Sequence, residues 1–424
     1  METRPLLEVA FIDISGVDKK TKDNEQETRL CNFTDIYYNW AVSKDNLNSF
    51  MIATANKDEI KRFSLKKGSV AITKDSETRE DIGISCYIAD DLENTILGYH
   101  CALITPKKGI LDGSYLNAYL HTKMAKTYFS NQASGSGQRY TLTIGGIGAV
   151  KIPIIPYDDQ VKMGKIFALI DRKISNNNKI NSELESMAKT LYDYWFLQFE
   201  FPNEEGKPYK SSGGKMVWNE ELKREIPEGW EVENLMETSL CEDIKAGVDY
   251  FEIKNYLPTA NVNDENIIDG ENITYENRES RANMQPIKFS VWFAKMKNSI
   301  KHITIPDNSN WFTEKYILST GFQGLKCSPD SLPYIHCIIN SNWFEEYKDM
   351  LSHGATQESV NNEDLKNIKF AVPSVDVLKK FSAIVLPVLE KKFSMIRENQ
   401  ELTSLRDFIL PLLMNGQVTI RSHY

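Results

Sequence analysis

Two Gly-rich loops carry the side chains best suited to chemistry. Ser134-Gly-Ser-Gly-Gln-Arg-Tyr-Thr141 presents Gln138 and Arg139, and His353-Gly-Ala-Thr-Gln-Glu-Ser359 presents His353, Thr356 and Gln357. The run Ser319-Thr-Gly-Phe-Gln-Gly-Leu-Lys326 adds Gln323 and Lys326, and Gly98-Tyr-His100 adds an imidazole. Lys66, Lys67, Lys74, Ser76, Thr78 and Arg79 flank an apolar strand, and Lys295, Lys297 and Lys301 form a basic run. Arg matches the acceptors of guanine and Gln the paired donor and acceptor of adenine, while lysines and backbone amides take phosphates. These residue types on flexible loops therefore suit nucleic-acid readout. Taken singly, each such loop reads as an ordinary solvated turn; recurrence of the loop before the same strand and helix favours a shared role.

Catalytic signatures fail on inspection. No Gly-x-x-x-x-Gly-Lys-Ser/Thr occurs, and Gly206-Lys-Pro208 lacks the strand and hydroxyl of a phosphate loop. Ile144-Gly-Gly-Ile-Gly-Ala149 leads toward a strand, where a dinucleotide loop must open a helix, so it reads as a structural turn. Pro306-Asp307 with Glu314-Lys315 sets Glu and Lys on opposite faces of a strand, which does not build a nuclease site. No Asn-Pro-Pro-Tyr or Asp-Pro-Pro-Tyr is present for adenine methylation. The six cysteines form no Cys-x-x-Cys pair and the six histidines are scattered, so neither a metal site nor a disulfide framework is expected. The chain reads as non-enzymatic, with no catalytic residue.

The elements that must position these loops are repeated. At a constant offset of 218 residues Ser134 matches Ser352, Lys151 matches Lys369, Asn181 matches Asn399, Glu183 matches Glu401, Leu184 matches Leu402 and Ser186 matches Ser404. Each half has about 150 residues of short strands and turns, then one long helix. The first follows Pro156, opens with Asp158 and Asp159, and spaces Ile166, Leu169, Ile170, Ile174, Ile180, Leu184, Met187, Leu191 and Trp195 by three or four, with a slip near Asn176-Asn-Asn178. Glu183 and Glu185 are expected on its exposed face. The second follows Pro373 and ends near Asn415-Gly416; Pro387 inside it predicts a bend or two helices. Helices of about 35 to 40 residues, roughly 55 Å long, are too long to be buried singly and should pair. Antiparallel pairing would set the two globular domains at opposite ends of a helical rod.

The chain of 424 residues is long enough for two or three domains, and 41% hydrophobic with 26% charged residues fits a folded soluble protein. Apolar stretches such as Ala383–Leu389 fall far short of a membrane span, and the N-terminus has no apolar signal region, so a cytoplasmic protein is expected. The net charge of −9 argues at first against a phosphate-bearing partner. The acidity is concentrated, however: residues 226–373 hold 13 Lys and Arg against 23 Asp and Glu. Inside that block, residues 288–326 hold Lys288, Lys295, Lys297, Lys301, Lys315 and Lys326 against Asp307 and Glu314, a basic island that keeps nucleic acid open.

From end to end the chain resembles the specificity subunit of type I restriction-modification systems. The resemblance rests on Glu183-Leu-Glu-Ser-Met-Ala-Lys-Thr-Leu-Tyr-Asp-Tyr-Trp-Phe196, Phe199-Glu-Phe-Pro202, Gly206-Lys-Pro-Tyr-Lys210 and Ile226-Pro-Glu-Gly-Trp230. Phe11-Ile-Asp-Ile-Ser-Gly16, Lys74-Asp-Ser-Glu-Thr78, Gly98-Tyr-His100, Gly354-Ala-Thr-Gln-Glu-Ser359 and Leu405-Arg-Asp-Phe-Ile-Leu-Pro-Leu-Leu413 add to it. One departure is that the first half lacks its own Ile-Pro-x-Gly-Trp. The resemblance implies an α+β fold: two globular α/β target-recognition domains in tandem, at 1–155 and 227–373, joined by two long helices (156–200 and 374–424, with a linker at 201–226) that form an antiparallel coiled coil. It implies that each domain reads half of a bipartite, asymmetric double-stranded DNA target while the coil sets the unread spacer. It implies partners too: two modification subunits using S-adenosylmethionine, and restriction subunits using ATP and Mg²⁺. Trp195, Phe196, Phe199 and the helix faces away from the coiled-coil seam would be docking candidates for those partners, with a core role for Trp195 as the even alternative. A structural adaptor with no DNA role, or a stand-alone DNA-modifying enzyme, are the alternatives.

Overall fold

The computed structural model describes residues 2–135, 139–263, 266–354, 358–414 and 416–418. The chain divides into two compact units, residues 1–175 with 401–424 and residues 176–400.

In the first unit, a five-stranded sheet has the spatial order Ala10–Ile14, Cys101–Pro106, Val70–Thr73, Ser85–Ile88, Ala41–Val42. Val70, Ala71, Ile72 and Thr73 are all buried, as expected of a central strand covered on both faces. A smaller sheet of Met51–Ala55, Gln26–Cys31 and Thr95–Leu97 stands beside it. Helices Gly113–Leu120 and Lys123–Gln132 start at Asp112 and Thr122, whose side chains accept from the Tyr115 and Ala125 amides as N-caps. Thr3–Pro5 pairs antiparallel with Lys151–Pro153, so the half that lacks Ile-Pro-x-Gly-Trp still closes its domain with a strand pair.

The first long helix, Tyr157–Tyr192, leaves this unit with Asp158 and Asp159 in its first turn. Gln160, fully buried, accepts from the Asp112 amide and donates to the Ile110 and Ile155 carbonyls, tying the helix start to the domain. Gly164 permits the close approach: a Cβ there would stand 1.9 Å from Ser114 Oγ.

The second unit repeats the plan. A sheet in the order Cys241–Asp243, Phe322–Cys327, Ser290–Ala294, His302–Ile305 is accompanied by Asn272–Ile273, Lys254–Leu257, Tyr316–Ser319 and Ala282–Met284. Leu332–Ile339 and Asn342–Met350 follow, the latter capped by Ser341. Glu231–Asn234 pairs antiparallel with Lys369–Val372, and the second long helix begins at Val375. The strands that precede the long helices begin at Lys151 and Lys369, and the helices at Tyr157 and Val375, each pair 218 residues apart.

Within the second unit the long helices run antiparallel. Asn177 Nδ2 donates to Glu398 Oε2 (2.8 Å) and Asn399 Oδ1 (2.9 Å), Glu185 pairs with Lys392, and the Trp195 and Phe381 rings lie 5.7 Å apart. Numbers rise on one helix as they fall on the other. The slip at Asn176-Asn-Asn178 thus becomes a buried polar layer, since Asn177 is fully buried and its amide pairs only in this register.

Two helix expectations need correction. Glu185 is not on the free face: it meets Lys392 and lies 3.4 Å from His336. Burial would raise its carboxyl, but His336 and Lys392 outweigh that and hold it well below the usual range. Of the bend or break expected at Pro387, the break is absent: a single helix runs Val375–Met414. Phe381, Val385 and Leu389 are buried on either side, so packing offsets the one lost backbone hydrogen bond. A third correction concerns Ile144–Gly148, which is a short helix capped by Thr143 before the strand at Lys151.

Candidate functional site

The same backbone frame holds a loop in each half. In the first, the Lys74 amide donates to the His100 carbonyl (2.8 Å) and the Leu142 amide to the Lys74 carbonyl (2.7 Å). In the second, Lys295 donates to Gly321 (2.9 Å) and Val360 to Lys295 (3.0 Å). Asp75 and Ser76 pair with Thr141 and Tyr140, while Met296 bridges to Ser359 and the Lys297 amide donates to the Glu358 carbonyl. Each loop then enters a short helix capped by Thr143 or Asn361, again 218 apart. The frame is common, so any difference in chemistry lies in the side chains it carries.

In the first half the frame is organised by Asp75, whose side chain is 8% exposed. Lys74 Nζ donates to its Oδ2 at 2.6 Å, His100 Nδ1 lies 2.7 Å from the same oxygen, and Thr141 Oγ1 donates to Oδ1 at 2.6 Å. Burial alone would raise this carboxyl, but hydrogen bonds from Lys74, Thr141 and His100 outweigh it and lower it to about 2. Asp75 therefore stays charged, and the His100 nitrogen facing it must carry a proton. His100 sits at φ +73°, a left-handed conformation that costs a non-glycine residue roughly 1 kcal/mol or more. Its ring packs on Tyr99, and Arg139 Nη2 lies against both ring nitrogens, 2.9 Å from Nε2 and 3.7 Å from Asp75 Oδ2. With its side chain 56% exposed, Arg139 keeps a free edge toward solvent.

Around this hub Phe33, Tyr37, Tyr38, Glu77, Thr78 and Asp81 complete an open groove with Asp75, Ser76, His100 and Arg139. Thr78 Oγ1 donates to Asp81, Ser76 accepts from the Thr78 amide, and the Arg79 guanidinium lies 5.0 Å over the Tyr140 ring. Of the residues singled out from sequence, Ser76, Thr78, His100 and Arg139 thus gather at one groove, with Lys74 paired to its Asp75 and Arg79 beside it. Lys66 and Lys67 are exposed on the turn before Val70–Thr73. Gln138 lies outside the described residues.

The second half spends its residues differently. Its hub is Asp243, which receives Gln323 Nε2 and Asn362 Nδ2 (3.0 Å) and pairs with Lys245. Gln323 is 4% exposed and committed to that carboxylate. Lys295 is half-buried; burial lowers its ammonium below the usual range, and Asp243 partly offsets this. Lys297 Nζ pairs with Glu358 at 2.6 Å, Lys326 lies 3.6 Å from Glu242, and Lys301 donates to the Val262 carbonyl. His353 is 71% exposed at the loop mouth. Thr356 and Gln357 lie outside the described residues.

Sequence reading missed Lys348, which is fully buried and donates to Glu345 (2.7 Å) and to the carbonyls of Ala294, Met296 and Ser299. It clamps the turn that bears Lys295, Met296 and Lys297. Asp75, Asp243 and Lys348 share no spacing pattern that would have marked them; Asp75 stood inside the quoted run Lys74–Thr78 without being separated from it.

Trp195, Phe196 and Phe199, expected as docking residues, lie in the core instead. They are 5%, 4% and 2% exposed and pack with Trp230, Tyr334 and Phe381 in the core of the second unit, where the first long helix ends in a π-helical turn, Asp193–Leu197. Their large apolar surfaces are buried within this chain.

Among the described residues, no group of His, Cys, Asp and Glu could hold a metal ion, and no helix is long and apolar enough to cross a membrane.

Comparison with known proteins gives concordant matches. A family model described as the type I restriction modification DNA specificity domain matches residues 1–186. The chain is 25% identical over 425 residues to the type I restriction enzyme MjaIX specificity subunit of Methanocaldococcus jannaschii, covering 90% of this chain and 87% of that one. It is 24% identical over 405 residues to the HindI specificity subunit of Haemophilus influenzae, covering 84% and 87%. Among solved structures, the type-I restriction-modification system S subunit from M. genitalium shares the fold, with a TM-score of 0.54 at 15% identity over 96% of this chain and 94% of that one.

Proposed function

We propose that the chain is a specificity subunit of a type I restriction-modification system, as the match of residues 1–186 and the likeness to two curated specificity subunits support, and that it selects the DNA sequence on which such a complex acts. It is a non-catalytic subunit. Each half reads one part of a bipartite, asymmetric double-stranded target, and the paired long helices act as the ruler for the unread spacer. Two modification subunits, which would bring S-adenosylmethionine, and restriction subunits, which would bring ATP and Mg²⁺, assemble with it in the cytoplasm.

The observation that carries this reading is the shared loop frame with unshared side chains: Asp75, Ser76, His100 and Tyr140 in one half stand where Met296, Lys297, Gly321 and Glu358 stand in the other. A structural adaptor would have no use for two identical frames presenting different polar edges. Base edges are told apart by such donors and acceptors, and phosphates are not.

The test is to map methylated adenines in DNA exposed to this chain with its modification partner, before and after replacing residues 1–155 with the corresponding domain of a relative. One half-site should change and the other should persist. Change in both halves, or in neither, overturns modular readout. Inserting four residues near Asn177, about 6 Å of helix, should lengthen the spacer while the bases read stay the same. An unchanged spacer in an active complex removes the helices as the ruler.

A further inference from the structure

The groove around Asp75 is built for one kind of base pair. Its floor and rim carry three carboxylates, Asp75, Glu77 and Asp81, which would repel a phosphate. Against them stands one guanidinium with a free edge, Arg139, held beside His100. In the major groove a G·C pair offers the guanine O6 and N7 acceptors beside the cytosine N4 donor, and Arg and carboxylates are their respective partners. An A·T pair keeps the purine N7 acceptor but sets the adenine N6 amine, a donor, where Arg would need the second acceptor.

We infer that this groove recognises a G·C pair of the first half-site, with Arg139 on the guanine and Asp75 as the residue that positions Arg139. This rests on the reading of the chain as a DNA-specificity subunit. Asp75 acts through others. Its carboxylate is satisfied from three places: Lys74 just before its own strand, His100 on the turn before Cys101–Pro106, and Thr141 on the loop strand. It therefore anchors the base of the loop from which Arg139 projects, and it holds the imidazole on which the guanidinium rests. The left-handed backbone at His100, at φ +73°, is kept with a side chain that makes this contact. In the second half the frame carries Met296 and Gly321 at the matching places, so neither the carboxylate nor the imidazole exists there. Asp75 is thus a positioning residue for one half-site alone.

The experiment uses the full chain with its modification partner. Binding is measured for the mapped target and for duplexes carrying each single base-pair change, at two salt concentrations. Arg139→Ala should lose tenfold or more of the preference for G·C at one position of the first half-site, with an unchanged salt slope. Asp75→Asn, nearly isosteric, should lose preference at that same position, while second half-site preferences stay within about twofold. Asp75→Glu should restore part of it. Thr141→Ala, which removes one donor to Asp75, should relax the same position less, and serves if Asp75→Asn lowers folding yield. Unaltered discrimination by Asp75→Asn alongside relaxed Arg139→Ala would overturn the positioning role. Even weakening of all duplexes by Arg139→Ala, with a shallower salt slope, would reassign Arg139 to phosphate and overturn the base assignment. If no variant, and no replacement of residues 1–155, changes any preference, it is the underlying DNA reading that fails.

Discussion

The two halves share a backbone frame and differ in where they place charge. In the first, the charge is one buried carboxylate, Asp75, satisfied by Lys74, Thr141 and His100, of which His100 lines the groove. In the second, the matching position is Met296 and the organising charge has moved behind the loop, to Lys348 under the turn and Asp243 on the neighbouring strand. The two helices that cover these sheets show the same exchange: Thr122 and Ser341 cap them 219 residues apart, and at that offset Phe129 and Lys348, both fully buried, occupy one position. A frame fixed by backbone hydrogen bonds tolerates an aromatic ring or an ion cluster beneath it, provided that each is fully satisfied. The loop chemistry above it can then diverge without loss of the fold.

The comparison can be broken most severely at Lys348. Lys348→Ala leaves Glu345 and three carbonyls short of a donor in a dry site, and should cost about 3 to 5 kcal/mol. Chemical denaturation of the variant measures this, and reading of the second half-site should fail with the first intact. A cost under about 1 kcal/mol would show that the turn is held by other contacts.

The long helices offer a second contrast. Asp171 is half-buried where Leu389, at the 218-residue offset, is 3% exposed. Burial raises the Asp171 carboxyl to about 6, with Arg406 pulling it back in part. The folded state thus holds a proton that the unfolded chain has released, so stability falls as pH rises from about 4 through about 6. Asp171→Asn should stabilise the first unit by about 2 to 3 kcal/mol at pH 7 and remove that dependence. Melting temperatures across pH 4 to 7 decide; an unchanged slope would place the titration elsewhere.

At Asp75 the sign reverses. Its folded value, about 2, lies below the ordinary carboxyl, so it contributes about 2 kcal/mol above pH 4, lost as pH falls through 2. Asp75→Asn should be less stable at neutral pH and flatter on the acid side. The second half, with Met296 there, has nothing to lose at this place. Equal acid sensitivity in Asp75→Asn would contradict the assignment.

The smallest effect is expected at the rim. Lys297 pairs with Glu358 in solvent, so Lys297→Ala should change stability by about 0.5 kcal/mol or less. It should weaken all duplexes evenly and reduce the salt slope by about one unit. Sequence-selective loss would move Lys297 from phosphate to base contact and make the two halves more alike.

Periodicity and the 218-residue register were enough to place both long helices and the loops before them, because helix faces and strand burial leave local patterns in the chain. Lys74, His100 and Arg139 were also legible, as exposed polar types beside Gly turns. The rest depended on tertiary structure. Trp195 reads equally as a docking or a core residue, and only the packing of Phe196 and Phe381 around it places it in the core. Lys301 reads as a free cation, yet its ammonium is spent on the Val262 carbonyl 39 residues away. Asp75 finds His100 and Thr141 at separations of 25 and 66 residues. Such pairings leave no spacing in the sequence, because what selects them is shared burial, where an unpaired charge or carbonyl is too costly to leave unmet.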